Sequence, residues 1–306
     1  MVCLFCISTC PKQPSDIGGE SPPGSEALYQ SDQSRSTQRW ESAEQRAKLD
    51  GIMSESILLQ HHPDGISQIT FNRPHVRNAL DIAALRSFAG AVRALRHHES
   101  LRAVVITGAG DAFCAGGDLG ELSRHLRADD ARRIMPIMGD ALSMLEALPV
   151  PVIAAVNGFA LGGGSEIAIA CDLRVIAEDA RMGFVQVRRG LMPGWGGGQR
   201  LIRLVGYARA MELLLAAEPL DADAVHALGL ANRVVPAGQA LSAALAWAAS
   251  IAALDPGAVR GIKALGVAAL TQSYEEALRT ERTLFPDLWA GAAHQRAMRE
   301  FIERKK

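Results

Sequence analysis

The stretch Ala160–Asp172, "ALGGGSEIAIACD", sets three glycines and a serine ahead of one glutamate, Glu166, which an almost wholly apolar run follows. A strand that ends in glycines and turns into a helix leaves several backbone N–H groups without intrahelical partners, near the positive end of the helix dipole. Glycine lets a ligand approach that backbone closely, so the loop can hold a phosphate or the oxygen of a polarised carbonyl. Glu166 then falls in the first helical turn, where a carboxylate can exchange protons with whatever the donors hold. The dipole alone also favours an acidic residue there, and on this stretch both readings stand.

A second loop has the same form. "FCAGGD" at 113–118 follows the apolar run "AVVITG" much as "LGGGSE" follows "PVIAAVNG". Two such loops can aim one N–H each at a single oxygen, the arrangement that stabilises a developing oxyanion. Nucleotide chemistry fits less well: GxxxxGK[ST] is absent and "GAGDAFCAGGD" breaks the spacing of GxGxxG.

Positioning these loops requires an alternation of strands and helices. "SILLQ" and "GISQITF", joined by "HHPDG", read as a hairpin. In "DIAALRSFAGAVRALRHH", Ile82, Leu85, Phe88, Ala89, Val92 and Leu95 recur at the period of one buried helix face. "RAVVITG", "PVIAAVNG" and "LRVIAE" read as strands, with a polar helix over about residues 129–147 and mostly helices after a further glycine loop, "GLMPGWGGGQR". This is an α/β pattern. Its expected organisation is a disordered N-terminal extension over 1–52, a core over 53–240 and a helical region over 241–306.

Composition narrows the class. The 306 residues are 48% hydrophobic and 21% charged with a formal net charge of −1, so no basic field exists to hold nucleic acid or an anionic membrane. No apolar run approaches the ~20 residues of a bilayer span. Residues 11–50 are rich in Ser, Gln, Glu, Gly and Pro, too polar to repay ordering. Because Met53 opens "MSESILLQ" directly before the first strand pattern, residues 1–52 are expected to be an overextended gene start. Cys3, Cys6 and Cys10 lack a nearby fourth ligand, so no metal is expected, while Cys114 and Cys171 in apolar surroundings read as reduced core residues of a cytoplasmic protein.

The blocks "FNRPHVRNAL", "VVITGAGDAFCAGGDL", "PVIAAVNGFALGGGSEIAIACDLRVIAE", "GLMPGWGGGQRLIRLVG", "AMELLL" and "ALGLANRVVP" together resemble the crotonase superfamily, the enoyl-CoA hydratase and isomerase family. The resemblance implies a spiral of ββα turns with a C-terminal helical trimerisation region, trimers that often pair into hexamers, and an acyl-CoA thioester ligand, with no cofactor besides the coenzyme A that is part of the substrate. It puts the oxyanion-hole donors on the backbone N–H groups of Ala115 and Gly163. It sets Arg77, Ala79, Leu80, Ala115 and Asp118 along the adenine and pantetheine arm. Gly120 stands where relatives often carry a lysine near the ribose phosphate, a contact that Arg73, Arg77 or Lys263 could replace.

Glu166 matches the first of the two glutamates that hydratases of the family use, and the second position holds Gln186. An amide has no proton to exchange near neutral pH, so the resemblance implies weakened hydration. "GFVQVRRGLMPGWGG" is also similar to the corresponding segment of ethylmalonyl- and methylmalonyl-CoA decarboxylases, which lack a glutamate there too. Loss of carbon dioxide generates the enolate without a base and then needs one proton donor. Arg188 or Arg189 would then pair with a substrate carboxylate, and Trp195 would narrow the acyl pocket to short chains. Three expectations follow: a hydratase-like lyase acting on a short-chain acyl-CoA with one catalytic glutamate, a decarboxylase, or an acyl-CoA-binding protein without turnover.

Overall fold

The computed structural model describes residues 55–305, which lie within one compact unit, Lys48–Lys306. The expected extension over 1–52, its cysteines and Met53 lie outside the described residues.

The hairpin comes first, with β1 (Ile57–His61) antiparallel to β2 (Ile66–Phe71). There follow α1 (Ile82–Arg96), β3 (Ala103–Gly108), β4 (Ala112–Cys114), α2 (Leu119–Leu122), α3 (Ala128–Glu146), β5 (Val152–Val156) and β6 (Phe159–Leu161). Next are α4 (Gly163–Ala170), β7 (Leu173–Ala177), β8 (Arg181–Gly183), α5 (Gly197–Val205), α6 (Tyr207–Ala216), β9 (Leu220–Asp221), α7 (Ala222–Ala227) and β10 (Arg233–Val235). Four helices end the chain: α8 (Ala240–Ala252), α9 (Pro256–Thr271), α10 (Tyr274–Trp289) and α11 (Ala292–Glu303).

The strands sort into two sheets with a regular alternation. A six-stranded sheet runs β1-β2-β3-β5-β7-β10 and a four-stranded one runs β4-β6-β8-β9. Each successive pair, β3/β4, β5/β6 and β7/β8, gives its first strand to the large sheet and its second to the small one before a helix or helical turn intervenes. That repetition is the spiral of ββα turns expected from the resemblance. From β2 onward the large sheet is parallel, in registers such as Ile69↔Ile106, Val105↔Ile153 and Ala155↔Val175. Parallel strands are covered on both faces, which is why β3 and β5 read as unbroken apolar runs and are buried at every residue.

Ala240, Ala244 and Ala248, one every fourth residue, let α8 lie closely across β3, β5 and β7. The helix that starts at the expected residue-240 boundary thus packs on the large sheet itself. Among the described residues no single helix is long and apolar enough to cross a membrane.

One consequence of the hairpin concerns acid. The His61 ring lies 4.6 Å from that of His98, and its Nδ1 is 2.9 Å from Ser67 Oγ. Burial, and secondarily the charges of His98 and His62, lower the His61 pKa from 6.5 to about 4. The unfolded chain therefore takes up this proton before the folded one does. Stability is fully present above about 6.5 and lost as pH falls toward 4. Urea midpoints at pH 7 and pH 5 are expected to differ less for His61→Asn than for the unaltered chain.

Candidate active site

The two glycine loops meet at the start of α4. Gly116, at φ +89°, adopts a backbone conformation that other residues avoid, and a methyl group on it would come within 2.9 Å of Gly163 N. A methyl on Gly164 would overlap the Cys114 carbonyl. Glycine at these positions is what lets the end of β4 touch the helix start.

The hydrogen bonds of this junction revise one expected donor. Ala115 N–H donates to the Arg77 carbonyl (3.0 Å), Gly116 N–H to Cys114 Sγ (3.3 Å) and Asp118 N–H to the Leu80 carbonyl (2.9 Å). Ala115, expected as an oxyanion-hole donor, is thus already committed within the fold. Among the described residues, Gly117 N–H has no acceptor, and neither has Gly163 N–H at the first position of α4. That leaves Gly117 N–H free on the loop that touches the start of α4, where the N–H groups of Gly163, Gly164 and Ser165 also have no acceptor; Gly163 is the one of these expected from the resemblance. The resemblance put this donor on Ala115; "CAGGD" offers consecutive small residues, and the turn at Gly116 decides which amide is spent on the Arg77 carbonyl.

Glu166 is 2% exposed and held at four points. Its Oε1 accepts from Gln186 Nε2 (2.9 Å) and Gly194 N–H (3.3 Å), and its Oε2 from Trp195 N–H and Gly197 N–H (2.8 Å each). Burial raises its pKa above the usual 4.5, against the opposing pull of these donors. The loop from Gly194 to Gly197 was not anticipated as a holder of Glu166, because a backbone donor leaves no signature in residue type. Its glycine run was the available signal: a methyl on Gly197 would overlap Glu166 Cγ.

Gln186 opens the short 3-10 turn Gln186–Arg189 beside Glu166. Trp195 is buried with its six-membered ring against Gly163 Cα, as a methyl there would overlap the ring. Glu166, Gln186, Gly163 and Trp195 are thereby brought together. Arg188 and Arg189 are exposed on the same turn.

The expected coenzyme A segment is held by a residue the sequence reading missed. Arg77 and Asn78 both have positive φ, 51° and 58°. The fully buried Asn78 side chain makes this tenable by donating to the Ala109 (2.9 Å) and Ala112 (2.7 Å) carbonyls while accepting from Arg73 N–H (2.9 Å). Arg77 is exposed, with its guanidinium 5.4 Å from the Phe159 ring centroid; Ala79 is half-buried and Leu80 buried. Asp118 caps α2 and pairs with Arg73 (3.0 Å), which also binds Asp81 (3.1 Å), the cap of α1. Burial opposes ionisation of Asp118, but Arg73 and the α2 amides hold its pKa below the usual value.

Lys263 does not stand free to meet a phosphate. It is buried in α9 and its Nζ donates to Asp172 Oδ2 (2.6 Å), while Val152 N–H donates to the same oxygen. Replacing it leaves Asp172 without its charge partner. Lys263→Met is expected to lower the melting temperature by several degrees, on the order of 1–3 kcal/mol for a part-exposed pair, with acyl-CoA affinity unchanged. Calorimetric melting and ligand titration on one preparation check both halves.

Cys114 and Cys171 are buried free thiols whose pKa burial pushes up to about 12, as expected for inert core residues.

Comparison with known proteins gives a consistent relationship. The family model for enoyl-CoA hydratase/isomerase matches residues 61–306. A short-chain-enoyl-CoA hydratase of Clostridium acetobutylicum is 36% identical over 242 residues, covering 79% of this chain and 92% of the relative. An ethylmalonyl-CoA decarboxylase of Xenopus laevis is 30% identical over 262 residues, covering 85% and 88%. The crystal structure of an enoyl-CoA hydratase from Bacillus anthracis aligns with a TM-score of 0.77 at 32% identity, over 82% of this chain and 97% of that one. On its spiral architecture and on these matches, the chain belongs to the enoyl-CoA hydratase/isomerase family of the crotonase superfamily.

Proposed function

We propose that the protein is a lyase acting on a short-chain acyl-CoA thioester, with an enolate stabilised by the N–H groups of Gly117 and Gly163 and one proton-exchanging carboxylate, Glu166. The observation that carries this reading is that unspent N–H donors stand on both touching loops, Gly117 on one and the first turn of α4 on the other, with a buried carboxylate in that same turn. Donors fixed before the substrate arrives need no reorganisation as charge grows on the thioester oxygen, and each is typically worth ~2.7–4 kcal/mol of barrier.

Glu166 moves the proton. Its two oxygens already accept four hydrogen bonds, the full capacity of a carboxylate, so proton exchange requires that one donor be released. The Gly194 N–H, at 3.3 Å, is the longest of the four. The raised pKa brings the protonated form of Glu166 closer to neutral pH, as delivery of a proton to an enolate requires.

Hydration of an enoyl thioester is the first reading and draws on relatives such as the crotonyl-CoA hydratase of Syntrophomonas wolfei, 36% identical over 253 residues. Decarboxylation of a malonyl-type thioester is the second, favoured by the amide at position 186 and by the ethylmalonyl-CoA decarboxylase relatives. Neither needs a cofactor beyond the substrate's own coenzyme A. Homotrimers or hexamers of a cytoplasmic enzyme complete the proposal: Ile262, Leu270, Phe285, Trp289 and Phe301 on α9 to α11 are all more than half exposed, an apolar surface suited to subunit contact.

Offering crotonyl-CoA and methylmalonyl-CoA separately, with absorbance and carbon dioxide readouts, tests this. Turnover of crotonyl-CoA is expected. Carbon dioxide release without hydration selects the second reading, and binding without turnover of either overturns the enzymatic assignment.

A further inference from the structure

Glu146 and Arg200 each sit at the helix end that disfavours their charge. Glu146 is the last residue of α3, where the helix dipole is negative, and Arg200 lies one turn into α5, near its positive end. They meet as a bidentate pair: Arg200 Nε donates to Glu146 Oε1 (2.7 Å) and Nη2 to Oε2 (2.6 Å). Neither residue serves its own helix there, and the remaining arm of the guanidinium shows what the pair serves.

Arg200 Nη1 donates to the Trp195 carbonyl (2.7 Å). A methyl built on Gly196, at φ +88°, would come within 2.7 Å of the same nitrogen, so the guanidinium lies against the backbone of this turn. The residues on either side of Gly196 supply the two N–H groups that hold Glu166 Oε2, Trp195 and Gly197, at 2.8 Å each. Arg200 thus fixes the peptide between the two amides that grip the carboxylate. Glycine at 196 gives that peptide wide freedom to rotate, which the guanidinium removes. The Arg200 side chain is 11% exposed, and Glu146 ties it to the end of the long helix α3.

We propose that Arg200, anchored by Glu146, is a positioning residue for Glu166: it holds the 195–197 turn so that both amides stay aimed at Oε2 and the carboxylate keeps its place beside the acyl group. The proposal rests on the reading of Glu166 as the proton-exchanging group and names what keeps that group still. Arg200 itself does not meet the substrate. Without it the turn rotates about Gly196, the two amides lose their aim and the carboxylate shifts, while the groups that bind the thioester stay where they are.

Hydrogen exchange and kinetics of Arg200→Met test this together. The variant leaves Glu146 charged but 39% exposed, so the freed carboxylate reaches water. Exchange of the Trp195 and Gly197 amides is expected to speed up, with that of β3 and β5 unchanged. The kcat is expected to fall about 10- to 100-fold, the scale of an ångström's misplacement of a catalytic group, with KM within about twofold. In a Glu166→Gln background no proton-exchanging group is left to position, so the same substitution should change kcat by less than about twofold. A merely structural role would lower both backgrounds alike. Glu146→Gln weakens the anchor while removing an acid from a helix end that disfavours it. It is expected to lower kcat less, with the same coupling and no loss of melting temperature, and it carries the test if Arg200→Met does not fold. Crotonyl-CoA is the substrate, or methylmalonyl-CoA if the unaltered protein releases carbon dioxide instead. Full activity of Arg200→Met, or of Glu146→Gln where it stands in, overturns this inference alone, as does an undiminished loss in the Glu166→Gln background. A fully active Glu166→Gln enzyme, or turnover of neither ester, sinks the reading of the site as well.

Discussion

Glu166→Gln is expected to lower kcat by about 10²- to 10⁴-fold, the usual loss when a positioned acid–base group is removed, with KM and melting temperature nearly unchanged. Small structural cost follows from the hydrogen bonds. With its amide oxygen at the Oε2 position, glutamine still accepts from Trp195 and Gly197 N–H, and its amino group meets Gln186, whose own amide can turn over to accept. The long bond from Gly194 is what goes unmet. Titration supplies a second readout. A buried carboxyl whose folded pKa is raised above 4.5 contributes stability that is present at low pH and lost as pH rises through the folded value, so the variant should lack that loss. Steady-state kinetics with denaturation at several pH values checks all of this, and a kcat within a few-fold of the unaltered enzyme contradicts the role given to Glu166.

Gly163→Ala should cost nearly as much from a position with no side chain. The added methyl would overlap the buried Trp195 ring, so either the ring moves, dragging an N–H that holds Glu166, or the start of α4 shifts and its free N–H loses aim. Losing one oxyanion donor typically costs 10²- to 10³-fold in kcat, about 2.7–4 kcal/mol. Because the clash is with one side chain, Trp195→Leu in the same chain is expected to restore part of the rate, a coupling that independent sites would not show. A Gly163→Ala enzyme of full activity, or no recovery in the double variant, contradicts this account of the junction.

Much of the scaffold was legible because its signals are local and periodic. The helix read over residues 81–98 is α1, and the apolar runs "AVVITG" and "PVIAAV" are adjacent strands of the large sheet. The two- and three-residue strands of the small sheet escaped notice, since so short an element has no period and is defined by its partners, as Cys114 is by Ala160. At the site, Glu166 and Gln186 could be located by residue type and by family resemblance. The free amide of Gly117 could not, because a backbone donor is made available by the hydrogen bonds its neighbours form. Nor could the role of Lys263, whose partner Asp172 lies 91 residues away and meets it only through the packing of α9.

The complex with a non-reacting acyl-CoA thioester puts the central idea to its hardest test, at a resolution that places the carbonyl. Both Gly117 N and Gly163 N are expected within about 2.7–3.1 Å of the thioester oxygen, with Ala115 N still bonded to the Arg77 carbonyl. A thioester oxygen held elsewhere, or touched by one of the two amides only, contradicts the account.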